Sequence, residues 1–153
     1  MHTILKCSLP LFFVVGCSSA AADSETPPGA TYDFTAALHT TVTEVIEPTY
    51  SDLYARAADL RSAAETLAAS PTDANLDATR TAWVNARKPW EQSEAFLFGP
   101  VESLGIDPSI DSWPVDRVQL DQVIDSQLEL TADSISTNFG GGLRGFHTIE
   151  YLL

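Results

Sequence analysis

Basic residues are scarce. Eight Lys and Arg stand against 21 Asp and Glu, a formal net charge of −13. A surface this acidic excludes nucleic acid as a partner, because phosphates are neutralised by Lys and Arg. It equally excludes broad electrostatic adhesion to anionic lipid. Its ordinary consequence is solubility, and its sharper one is attraction of cations. Thiols are scarcer still: Cys7 and Cys17 are the whole supply, so no disulfide framework can be built across the body of the chain. Histidine occurs three times, and never as His-Glu-x-x-His. That absence removes the usual two-histidine zinc helix of metallopeptidases. No apolar run approaches the ~20 residues that a bilayer-spanning helix needs, and no useful length of period-two alternation argues for strands. The fold class left standing is all-α.

What is present begins with an export signal. Lys6 is followed by the short apolar run Leu9 to Val15, and the run ends in Val14-Val15-Gly16-Cys17. This looks like a bacterial lipobox: a small residue before the cut lets a peptidase reach the backbone, and the new N-terminal thiol carries the lipid. Residues 1–17 therefore read as a lipoprotein signal peptide and Cys17 as the lipidation site. Cys7 would be discarded with the signal. All acidic residues follow Cys17, so removing Lys6 leaves a mature charge of −14. Residues 18–30, small, polar and Pro-rich, read as a flexible tether. The expected location is the bacterial cell envelope, as an outer-membrane lipoprotein facing the periplasm or the surface.

From residue 31 the pattern is helical. Val42, Ile46, Tyr50, Leu53, Ala57, Leu60, Ala64 and Leu67 step by three and four, one face of a helix. Pro48 falls inside it, which predicts a kink or break. Thr72 or Asp73 can cap a second helix, with Leu76, Thr79, Trp83, Ala86, Trp90, Ser93 and Leu97 on its face. The two indoles read as core rather than as a ligand box. Residues 99–116 form a long irregular stretch rich in Gly, Pro and Asp, a length of loop often tied to function. A third helix is expected from about Val115 to Gln127, with Leu120, Val123, Ile124 and Leu128 inward. Thr131 to Gly142 is Gly-rich and weakly patterned. A fourth helix is expected from near Leu143, and its pattern runs to Leu153 without a cap, so a continuation is expected there. The elements suit an antiparallel helical bundle.

His147 and Glu150 are three apart, so on a helix they share one face and can point at one cation. Alone the pair is a weak signal, because surface His–Glu pairs arise often by chance. Gly145 removes side-chain bulk beside it, where another group could approach closely.

Three segments together resemble the imelysin-like family: Trp83 with Arg87-Lys88-Pro89-Trp90-Glu91-Gln92-Ser93-Glu94 through Gly99-Pro100; Ile106-Asp107 with Ile110-Asp111-Ser112-Trp113-Pro114-Val115-Asp116; and Arg144 to Leu153, which fits Gly-x-His-x-x-Glu. The resemblance covers about residues 32–153. It implies exported bacterial proteins, often lipoproteins, made of two similar helical-bundle halves, of which this chain would be the first. It implies either metallopeptidase activity or a role in iron uptake. It assigns His147 and Glu150 to a metal site, with Glu94 a third polar contributor and Arg87, Glu91, Asp111, Trp113 and Gly145 as further site residues. The metal would be a divalent or ferric ion, iron or zinc. Hard cations prefer the carboxylate oxygens an acidic protein supplies, so metal binding or uptake is preferred to zinc-type hydrolysis, with an inactive fragment the remaining alternative. The expected partners are a membrane reached through the lipid anchor and an outer-membrane metal transporter.

Overall fold

A computed structural model describes residues 32–153. The expected signal and tether lie outside the described residues. From Phe34 onward the chain packs as one unit, and all regular structure among the described residues is helical.

Two long helices make the frame: α2, Glu47–Ala69, and α3, Asp73–Ser93, joined by residues 70–72. A short α1, Thr35–Thr41, leads through a π-helical turn, Val42–Ile46, into α2. Pro48 sits in the first turn of α2, where a missing N–H costs nothing, and the irregularity expected at the proline falls in the turn just before it. The start of α3 is set by Thr72, whose hydroxyl accepts from the Asn75 N–H. The helix continues through Pro89.

The face expected for α3 is the buried one. Thr79, Ala86, Trp90 and Ser93 are fully buried, and Leu76, Trp83 and Leu97 are half-buried. Leu60 of α2, Ala86 and Trp90 of α3, Val101 and Phe146 form the core. Thr79 Oγ1 donates to the Asn75 carbonyl at 2.8 Å and approaches that of Ala63, on α2, at 3.2 Å.

The stretch expected to be irregular contains two short helices, α4, Pro100–Ser103, and α5, Ile106–Ile110. Helix α6, Arg117–Asp125, follows. Of its expected inward set only Leu120 is buried; Ile124 and Leu128 are exposed. Residues 131–142, which carry little periodicity, hold α7, Ala132–Asn138, started by Thr131 and Ser134 capping each other's backbone N–H groups. A 3₁₀ turn, Gly141–Leu143, precedes α8, Phe146–Leu152. The last helix thus begins three residues later than its pattern suggests. An apolar groove of about 570 Å³ runs along the frame, lined by Tyr50, Leu53, Leu60, Ala86, Phe146 and Ile149 among others. No helix among the described residues is long and apolar enough to cross a membrane.

Candidate metal centre

Gly145 decides where α8 starts. Its φ is +91°, a conformation that side chains make costly. A Cβ there would sit 2.3 Å from the Ile110 carbonyl oxygen. The close approach identified beside the motif is therefore backbone against backbone, and it brings the first turn of α8 against the end of α5. The residue following Ile110 is Asp111. The residues following Gly145 are Phe146 and His147.

Asp111 is the hub of the site. Its Oδ1 accepts from Arg87 Nη1 and lies 3.2 Å from His147 Nε2. Its Oδ2 accepts from the Trp90 indole N–H at 2.7 Å. Only 7% of its side chain is exposed. Three elements thus meet on one carboxylate: α3 through Arg87 and Trp90, the end of α5 through Asp111 itself, and α8 through His147. A buried carboxylate needs such partners, since an unpaired one would be strongly disfavoured.

On the other edge of the imidazole, Nδ1 of His147 lies 3.1 Å from Glu150 Oε2. The i, i+3 pairing expected of these two is what α8 delivers. The exposed indole of Trp113 meets the His147 ring at 4.9 Å between centroids, edge to face. Arg87 is two-sided: Nη2 binds Glu91 Oε1 at 2.5 Å while Nη1 holds Asp111. The guanidinium also lies over the Phe146 ring, 5.3 Å from its centroid. Behind the site, Trp83 Nε1 donates to the Phe146 carbonyl at 2.9 Å.

The structure brings Arg87, Asp111, Trp113, Gly145, His147 and Glu150 together. Glu94 joins this cluster beside Asp111. Carboxylate oxygens of Glu91, Glu94 and Asp111 lie within 4.8 Å of one another, a grouping on the Arg87 side, and no hydrogen bond or ion pair joins Glu94 to His147 or Glu150. Trp90 belongs both to the core and to the site. Its place on the buried stripe hides the second role, and only its spacing of three from Arg87 hinted that both could meet one acceptor.

The donor set suits a cation. One imidazole nitrogen and one carboxylate oxygen, 3.1 Å apart, match two neighbouring donors on a metal whose bonds are about 2.1 Å. Glu150 is half exposed, so its side chain can adjust to a ligand. A ring with a buried carboxylate on one side and an exposed carboxylate on the other is a donor arrangement that could serve a carboxylate–histidine–metal unit.

The fold and the centre define an all-helical protein with a carboxylate–histidine site docked on a two-helix frame. The Imelysin family profile matches residues 46–153, and the chain belongs to that family. It is 42% identical over 112 residues to Iron-regulated protein A of Synechococcus elongatus, covering 73% of this chain and 29% of that protein. A crystal structure of an imelysin peptidase from Bacteroides ovatus superposes with a TM-score of 0.63 at 42% identity, over 71% of this chain and 33% of that one. A structure of an iron-regulated protein A precursor from Parabacteroides distasonis gives 0.67 at 37% identity, over 77% and 33%. The chain spans about a third of the length of these relatives.

Proposed function

We propose that this protein is an exported, lipid-anchored member of the imelysin family that binds a metal ion, iron or zinc, through His147 and Glu150, and that it serves metal uptake at the cell envelope. The observation that carries the reading is the paired contact of His147, with Asp111 on one ring nitrogen and Glu150 on the other. It is supported by the acidity of the chain, which concentrates cations at its surface, and by the relative named for its regulation by iron. Lipidation at Cys17, attachment to the outer membrane and delivery to a transporter rest on the lipobox-like sequence and the tether.

Elemental analysis and titration of purified protein test the reading. Wild type should take up Zn²⁺ or iron. His147→Ala and Glu150→Ala should each lower occupancy severely, because two donors cannot lose one and still hold the ion. Helix content should be unchanged, since Ala is a good helix former. Wild type without metal, or uptake indifferent to both substitutions, sinks the assignment.

Hydrolysis is the second reading, favoured by the likeness to a structure described as an imelysin peptidase. A peptidase metal needs an open position and a base for the attacking water. Peptide cleavage abolished by both substitutions in folded protein would establish it in place of carriage.

A further inference from the structure

Helix α8 carries both residues of the metal pair, yet it cannot hold itself in place. It spans seven residues and has no side-chain cap on its first turn, and a helix that short is not stable in water by itself. Its direction is therefore imposed by contacts with the frame. Gly145 supplies one, against the backbone of Ile110. Trp83 of α3 supplies another: its indole Nε1–H donates to the Phe146 carbonyl at 2.9 Å. That carbonyl belongs to the peptide joining Phe146 to His147. Its oxygen has two lone pairs, and in an α-helix it also takes the N–H four residues on, here that of Glu150. One backbone oxygen is thus tied to α3 on one side and to Glu150 on the other. The indole also meets the Phe146 ring edge to face, 6.5 Å between centroids. With Arg80 and Val84 it walls a cavity of about 230 Å³ that Glu150 borders. Phenylalanine or leucine would cover the same apolar surface, but neither has a donor for the carbonyl. Trp83 is only half-buried, so apolar burial alone does not account for an indole at this position.

We propose that Trp83 is a positioning residue of the metal centre: its N–H fixes the first turn of α8 on α3 and so sets where His147 and Glu150 stand before an ion arrives. The proposal rests on the metal reading above and adds to it a residue that acts through the backbone and is not a ligand. Trp83, Arg87 and Trp90 follow one another at steps of four and three along one face of α3. Arg87 and Trp90 hold Asp111, while Trp83 holds α8. A single helix face therefore sets the distance between Asp111 and the His147–Glu150 pair. Without the Trp83 bond α8 can shift on the frame, and only a fraction of molecules presents both donors together. An ion then binds with an affinity reduced by that fraction.

Trp83→Phe in the full chain removes the donor and keeps an aromatic body. It should weaken Zn²⁺ binding, measured by calorimetric titration, about 2- to 10-fold, the range spanned by the net contribution of one hydrogen bond. Without Zn²⁺, amide exchange at Glu150, whose N–H shares the tethered carbonyl, should quicken by a similar factor. Thr72→Ala loses one hydrogen bond at the start of the same helix, about three turns from Trp83. It should lower the urea midpoint and leave both readings at their wild-type values. Circular dichroism checks that each variant keeps its helix content. Should Trp83→Phe not fold, the wild type decides by itself: the Trp83 indole N–H should exchange slowly, and its ¹H–¹⁵N resonance should move on addition of Zn²⁺ alone. An indole N–H that exchanges freely overturns the proposal. So does unchanged affinity in folded Trp83→Phe, or equal weakening by Thr72→Ala, and in these cases the metal reading stands. A wild type that takes up no Zn²⁺ overturns the metal reading, and exchange at Glu150 then decides whether Trp83 sets α8.

Discussion

A single hydrogen atom at position 145 makes the meeting of α5 and α8 possible. Replacing Gly145 by Ala puts a methyl 2.3 Å from the Ile110 carbonyl oxygen at a φ of +91°. Backbone cannot yield as a side-chain tip can, so Gly145→Ala should cost at least about 2 kcal/mol of stability, measured by urea unfolding, and should separate His147 from Asp111. A metal titration of the folded fraction would then show weakened binding without any ligand having been touched. Ser136 and Ser109 carry a milder version of the same logic, since Arg144 donates to the Ser136 carbonyl at 2.5 Å and to Ser109 Oγ at 3.3 Å. At this scale the sequence reveals His147 and Glu150 through their spacing and Gly145 through its lack of bulk. It does not reveal that Asp111 is the hub. Asp111 is 36 residues from His147, and only the docking of two short helices brings them together. Glu94 enters the site by resemblance alone, and the fold gathers its carboxylate with those of Glu91 and Asp111.

Among elements, α3 is the most predictable and the most consequential. Its buried face follows a strict three-four step, and its start is fixed by a hydroxyl. Thr72→Ala removes the acceptor for the Asn75 N–H and should cost about 1 kcal/mol, read from the urea midpoint. The effect on metal affinity should be small, because Arg87 and Trp90 lie four turns or more further along the helix. Short helices are harder to anticipate. Helix α7 spans seven residues, too few for a hydrophobic period to declare itself, and the Thr131–Ser134 reciprocal cap is the signal that marks it. Helix α6 shows the opposite error: Leu120, Val123, Ile124 and Leu128 have helical spacing, yet only Leu120 is buried, Val123 is half-buried, and Leu128 lies past the end of the helix. Periodicity identifies a face, and the element that covers it has to come from elsewhere.

For the molecule as a whole, the notable quantity is the apolar surface left in water. Leu104, Val118, Trp113 and Leu128 are each more than 60% exposed, and the groove along Tyr50, Leu53 and Ile149 is open. Where apolar surface is contiguous, as along the groove, it marks contact sites or aggregation liabilities. The isolated chain should therefore bind a hydrophobic dye such as ANS and unfold over a broad temperature range; a sharp two-state transition without dye binding would show that this unit is self-sufficient. The proposed export is tested separately. Cys17→Ser should abolish fatty-acid labelling in cells, and persistent labelling would remove the lipoprotein assignment.

The convergence of three helical elements on Asp111 also makes the site a thermodynamic clasp. Separating α8 from α3 and α5 takes His147 away from Asp111, so an ion that binds only the assembled arrangement would oppose unfolding by mass action. At a free metal concentration one hundred times its Kd the added resistance is about 2.7 kcal/mol. Chelation should then lower the melting temperature of wild type and leave His147→Ala unmoved. If the site holds such an ion, the lifetime of the molecule against proteolysis would follow the supply of that ion.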